Sequence, residues 1–291
     1  DLRDTLFTDS AEVTMEDNQI VLDRVETYVY DFRNKKRKSY AILDGGLVVR
    51  SLDTLFYDID VTLPREFPFR YELEDIIGVA EGDLHIEGDN TPKVTGDLQL
   101  ITMRYEAEFA RAGEGSPLMQ TLNSGASWDL DINFDIPSNY WIKNSDVDAE
   151  LWGAINLIRE SGNYRFVGDM TFLRGRGFLF DKTFRIDAGS TVIFEDIEYL
   201  NPRLNITAWT RIPGQRRESD SVREDIDLCV RVTGTLDAPQ IDPCEGSQFS
   251  QGDILPLIVA NYYSSDTAQA SGQFSQRALD YLGRPLSQAG E

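Results

Sequence analysis

The chain has 291 residues, of which 50 are acidic and 28 basic, for a net charge of −22. Such an anionic surface repels phosphate backbones, which argues against nucleic acid as a partner, and it repels a generic anionic membrane surface equally. Apolar residues at 41% and aromatics at 11% lie far from the composition of disorder, so the acid reads as a solvated exterior around a sizeable core.

Residues 19–22, 26–32, 40–43 and 46–49 read as short strands, separated by charged or glycine turns such as Asp44-Gly45-Gly46. Residues 56–63 continue the alternation, and Pro64 predicts its end. Residues 83–87 and 97–104 follow. Residues 117–122 form a candidate short helix, with Ser116 as its cap and Pro117 at its first position. The clearest strand is 128–136. Trp128, Leu130, Ile132, Phe134 and Ile136 share one face, and Asp129, Asp131, Asn133 and Asp135 share the other, because side chains alternate along a strand. A helix with this pattern would carry aspartate all around its circumference.

Residues 169–173, 177–180, 191–194, 203–209 and 225–233 complete the strands. Their close spacing leaves little room for crossover helices and predicts an antiparallel, all-β chain. Residues 251–263 read as a helix, with Asp253 near its start and Pro256 tolerable only in the first turn. Beyond Ser264 the chain is rich in Ser, Gln and Ala, with one amphipathic turn around 274–282.

A weak repeat runs through the middle. Gly82-Asp83-Leu84-His85-Ile86, a turn, and Gly96-Asp97-Leu98-Gln99-Leu100 match Gly153-Ala154-Ile155-Asn156-Leu157, a turn, and Gly168-Asp169-Met170-Thr171-Phe172. Residues 230–241 echo 84–94 in the same order of strand, glycine, proline turn and strand. Stacked β units extend a sheet along one axis and predict an elongated body. Three parts are expected: 1–127 as repeating β-groove, 128–250 as a second β-groove with motifs of its own, and 251–291 as short helix and tail.

Catalytic material is sparse. The single histidine, His85, lies on the polar side of its strand and reads as a surface residue. Gly175-Arg176-Gly177 has no helix after it and reads as a turn pair, and no phosphate loop, nucleophile elbow or zinc signature is present. Asp129, Asp131 and Asp135 could act as paired carboxylates on a polysaccharide, but a chain with 50 acidic residues brings carboxylates together by chance. No metal or cofactor is expected. Cys229 alternates with Leu228 and Val230 and so falls on the polar face, and Cys244 follows a proline turn. The pair is open between a disulfide and two free thiols. Asn205-Ile206-Thr207 matches a glycosylation sequon inside a strand. No apolar run approaches the ~18 residues of a membrane span. The start at Asp1 reads as that of an excised or mature fragment.

One ordered set of motifs is more specific. It runs Asp129-Leu130-Asp131-Ile132, Ile136-Pro137, Trp141-Ile142, Asp148-Ala149-Glu150-Leu151-Trp152-Gly153 and Phe178-Leu179-Phe180-Asp181-Lys182-Thr183-Phe184-Arg185-Ile186. It continues with Val192-Ile193-Phe194, Asn201-Pro202-Arg203-Leu204-Asn205-Ile206-Thr207-Ala208, Val230-Arg231-Val232-Thr233-Gly234-Thr235-Leu236-Asp237-Ala238-Pro239 and Asp253-Ile254-Leu255. In this order the motifs resemble the C-terminal region of the TamB family, the translocation and assembly module subunits of Gram-negative envelopes. The resemblance covers 128–263, and the first 127 residues look like further repeats without specific motifs.

That resemblance implies a non-enzymatic periplasmic bridge: an elongated, curled antiparallel sheet (a β-taco or trough) with an apolar inner face and a short helix near its C-terminus. It implies an inner-membrane anchor on the full-length protein, docking on an outer-membrane barrel of the assembly-factor family (TamA-like), and a role in phospholipid transport, in outer-membrane protein assembly, or in both. By that resemblance, the family's anchor and its terminal barrel-engaging segment are expected outside these 291 residues. Phospholipid acyl chains are the expected cargo. Alternation assigns the groove lining to Trp128, Leu130, Ile132, Phe134, Ile136, Leu98, Leu100, Phe166, Met170, Phe172, Leu204, Ile206, Leu228, Val230 and Val232. The competing readings are a β-solenoid enzyme acting on polysaccharide and a structural or adhesive module packed shut. The open trough predicts that an aspartate at Phe172 or Ile132 leaves a folded protein that no longer passes lipid, whereas a packed core should unfold.

Overall fold

A computed structural model describes residues 6–9, 11–31, 36–51, 53–71, 76–109, 128–197, 201–216 and 223–260. The expected helix at 117–122, the amphipathic turn at 274–282 and positions 261–263 lie outside them. The elements are β1 (Leu6–Phe7), β2 (Val13–Glu16), β3 (Gln19–Asp31), β4 (Lys36–Ser51), β5 (Thr54–Tyr71), β6 (Ile76–Gly88), β7 (Lys93–Tyr105) and β8 (Asp129–Lys143). Then come β9 (Val147–Glu160), β10 (Asn163–Leu179), β11 (Lys182–Ile186), β12 (Thr191–Ile197), β13 (Arg203–Arg216), β14 (Arg223–Thr235), β15 (Ala238–Pro243) and α1 (Gln251–Ala260).

These strands form one sheet whose spatial order follows chain order, with β2 added against β3 and β12 bridging β10 and β13. Neighbours are antiparallel with one exception. β7 and β8 run parallel, from Lys93 beside Asp129 to Tyr105 beside Ile142. The connection between Tyr105 and Asp129 is long enough to return the chain to the end it started from, which a hairpin cannot do.

The strands are longer than the sequence pattern predicts. Segments 19–22 and 26–32 fuse in β3, 40–43 and 46–49 in β4, and 169–173 and 177–180 in β10. β5 continues past Pro64 to Tyr71. The residues that resemble turn signals sit at irregularities inside strands instead. Register shifts fall between Leu63 and Phe67, Gln99 and Met103, Ile136 and Tyr140, and Phe172 and Arg174. They lie at neighbouring registers: Leu63 faces Gly82, Ala80 faces Leu100, Gln99 faces Asp135, Ile136 faces Gly153, and Leu151 faces Phe172. A line of bulges across adjacent strands bends them together and curls the sheet.

The repeat follows the same logic. In the β9–β10 hairpin Gly153 opposes Met170, and Gly168 opposes Ile155. Their φ values are 152° and 139°, and a Cβ on either would meet a carbonyl oxygen of the facing strand at 2.1 or 2.2 Å. Only glycine fits there. The β6–β7 hairpin reproduces the pairing, with Gly82 opposite Leu98 and Gly96 opposite Leu84.

One face of the sheet carries the core. Ile136, Leu151, Met170, Phe172, Ile212 and Leu228 pack in a single buried cluster with Ile254, Leu257 and Ile258 of α1. The cluster reaches back only to Ala80 and Leu100; buried Val25, Val29, Ala41, Ile59 and Leu63 of β3 to β5 stay outside it. Among the described residues the packed cluster therefore spans β6 to β14 with α1, and the buried residues of β3 to β5 lie apart from it. α1 starts at Ser250, whose backbone N–H and hydroxyl both donate to the Asp253 carboxylate at 2.8 and 2.6 Å. Pro256 falls beyond the first turn, against the sequence expectation. Its missing N–H costs one helical bond, offset by the complete burial of Leu257 and Ile258.

Candidate apolar groove

The inner face gathers the residues that alternation selects, at graded depth. Leu100, Ile136, Phe166, Met170, Phe172, Leu228 and Val230 belong to the buried cluster. Leu130, Phe134 and Ile206 pack against it from partly buried positions. Ile132 and Leu204 are buried without joining it, and Trp128, Leu98 and Val232 are half-buried. Trp128 tilts against the Tyr57 ring of β5, with centroids 6.1 Å apart.

An apolar cavity of about 130 Å³ lies within this face. Phe172, Leu204 and Ile206 line it, together with Tyr105, Tyr140, Ile142, Val147 and Phe194. β7 and β13 are five steps apart in the sheet, or ~24 Å if it were flat. Their meeting in one small cavity requires the sheet to curl into a trough. Burial pushes the Tyr140 phenol up to about 12. Tyr140, Ile142 and Val147 keep the parity of Ile136 and Leu151, because the bulge at 137–139 sets four residues of β8 against two of β9. They escape the sequence reading because Pro137 ends the expected strand at 136. The Trp141-Ile142 motif is the one local sign of them.

The opposite face is largely polar, and its side chains bond one another across strands. Lys93 pairs with Asp131 at 3.0 Å, Asn133 donates to Asp97 at 2.9 Å, and Asn156 donates to Asp131 and Asn133 at 3.1 and 2.7 Å. The bond from Asn156, then that from Lys93, holds the Asp131 carboxyl below the ordinary carboxylate range. Asp129 accepts from the Ser161 N–H, and Asp135 from Gln99. The three aspartates that could have formed a catalytic set are thus occupied by separate structural bonds on a wet surface. His85 bonds Asp60 at 2.8 Å, and that bond raises its pKa. Glu150 is the buried member of this face, held by Arg174 at 2.7 Å and by the Asn139 N–H at 3.1 Å. Among the described residues no group of three or more His, Cys, Asp or Glu side chains is placed to hold a metal ion.

Cys229 and Cys244 form a disulfide, with Cα atoms 5.4 Å apart. Alternation puts Cys229 on the polar face, yet it is buried. The chain after β15 returns over it, and the Cys244 N–H donates to the Cys229 carbonyl.

A family model of the TamB C-terminal domain matches residues 31–291. The chain belongs to that family. The match extends the resemblance back from residue 128 into β3, so most of the repeating N-terminal strands are part of the same domain. No curated protein matches the chain. TamB proteins belong to the Gram-negative envelope, serve outer-membrane assembly and lipid transport, and are not known as enzymes. Among the described residues no helix is long and apolar enough to cross a membrane.

Proposed function

We propose that this TamB domain carries phospholipid between the inner and outer membranes, holding the acyl chains against the inner face of its curled sheet. The observation that carries the reading is the continuity of one apolar side from strand to strand across the sheet. Val25, Ile59, Ile132, Phe172 and Leu204 lie on one side over ten strands, while Asp58, Asp60, Asp131 and Asp135 stay hydrated on the other. Apolar surface that curls without closing on itself gives an acyl chain a water-free path.

The two ends of the sheet take different parts. β3 to β5 form the open trough, where inner residues such as Leu43 and Val61 are half-buried and lie outside the packed cluster. β6 to β14 with α1 form its closed end. The cavity there, at about 130 Å³, is close to the size of one that takes up benzene, so it admits the end of a chain and not a whole lipid. Lipid passes through this end only if α1 leaves the trough. A disulfide fits the oxidising periplasm. Assistance to outer-membrane proteins, by docking on a barrel of the assembly-factor family, is the second role that family membership supports.

The test is mass spectrometry of lipids that co-purify with the protein from membranes, followed by delipidation and reloading. Stoichiometric phospholipid is expected. Its absence, with reloading also failing, would leave the packed β6–β14 part as the template for the whole and favour a closed structural module.

A further inference from the structure

Arg159 stands near the end of β9, opposite Leu130 of β8 and Tyr164 of β10 on the inner side of the sheet. It is 5% exposed. Nη1 donates to the carbonyl of Trp128, and Cζ lies 5.2 Å from the centre of the Tyr164 ring. Nε is enclosed and has no hydrogen-bond partner. The nearest acids in sequence are engaged elsewhere: Asp129 by the Ser161 N–H, and Glu160 by Arg165 at 3.4 Å. Among the described residues no carboxylate pairs with Arg159.

A guanidinium is costly to bury unless an anion joins it, and a ring face with one carbonyl is incomplete compensation. Its planar fork matches a phosphate or carboxylate bidentately. The position narrows the choice of anion. Trp128 immediately precedes β8, so Arg159 sits at the rim of the sheet where water is near, and Leu130 and Ile132 lead from it into the apolar face. An anion with apolar chains attached satisfies both surroundings at once. We propose that Arg159 is the docking point for the phosphate of a phospholipid whose acyl chains run along the groove. This inference rests on the acyl-groove reading above.

The purified chain is equilibrated with phosphatidylglycerol or with diacylglycerol of identical acyl chains, and retained lipid is measured by mass spectrometry, with inorganic phosphate titrated separately against tryptophan fluorescence. Wild type should prefer phosphatidylglycerol. Arg159→Gln should lower phosphatidylglycerol retention about tenfold or more, the loss of one charge-assisted bond, and leave diacylglycerol unchanged. Arg159→Lys keeps the charge without the fork and should fall between, which preserves the test if the glutamine variant melts early. Equal retention of both lipids by wild type would overturn the phosphate site and leave the acyl groove standing, whereas retention of neither would overturn both. A fall in both lipids together would make Arg159 a packing residue. A fluorescence response to inorganic phosphate that needs Arg159, without any lipid preference, would assign a free anion and overturn the headgroup assignment.

Discussion

Aspartate at Phe172 and at Val61 should have opposite consequences, because the two ends of the trough are built differently. Phe172 is 3% exposed within the main cluster, a packed position where the sequence reading expects an open groove that tolerates a charge. A buried phenylalanine removes ~150–200 Å² of apolar surface from water, which at ~25 cal/mol per Å² is about 4 kcal/mol. A carboxylate in its place adds a desolvation cost of several kcal/mol, or must take up a proton. Together these approach the whole stability of a domain, about 5–15 kcal/mol. Val61 pairs with Leu43 and Leu84 and is only half-buried, outside the cluster. Its aspartate keeps part of its hydration and should cost about 1–2 kcal/mol. At this chain size each kcal/mol lowers Tm by about 2–4 °C. Scanning calorimetry should therefore show Phe172→Asp melting more than ~10 °C early or without a transition. Val61→Asp should melt only a few degrees early, yet fail to support the envelope in cells that depend on the protein. A Phe172→Asp protein melting like wild type, or a Val61→Asp protein with no transition, would refute the division into packed end and open trough.

Three further outcomes follow from single contacts. Reducing the Cys229–Cys244 bridge, which closes a loop of sequence separation 15, should destabilise by ~3 kcal/mol in the chain-entropy model, visible as a lower Tm in dithiothreitol; an unchanged Tm would make the bridge energetically idle. Glu150→Ala leaves the Asn139 N–H without its acceptor and Arg174 without its partner, and should cost about 3 kcal/mol in urea unfolding, while Glu150→Gln should recover much of it; equal loss from both would deny the buried hydrogen bond its role. His85 is raised above 6.5 by its bond to Asp60, so its contribution to stability is complete below that pH and fades as pH rises through the higher folded value; a ring titration by NMR at or below 6.5, or one that Asp60→Asn does not move, would contradict this.

Much of the fold is legible because alternation is a local property. Strand 128–136 sorts its own faces, and the hairpin glycines Gly153 and Gly168 recur with their positions in the repeat. What escapes the sequence is set by partners far along the chain. Pro64 and Gly175 look like stops but sit at or beside bulges, because whether a glycine or proline ends a strand depends on the strand beside it. The parallel β7–β8 pair depends on where a long connection returns. The filling of the trough by Ile254, Leu257 and Ile258 depends on the curl, which no local pattern encodes. Arg159 continues the inward parity of Leu157, yet a charged residue in an apolar series reads as a strand end until its neighbours Leu130 and Tyr164 are known.

The most direct test is site-specific photo-crosslinking in living cells. A photoreactive residue at Ile59 or Ile132, both on the inner face, should capture phospholipid, and the same residue at Asp58 or Asp131, one position away on the wet face, should not. Capture confined to the inner positions is the predicted result. Equal capture from both faces, or none from either with the protein folded, would contradict the groove.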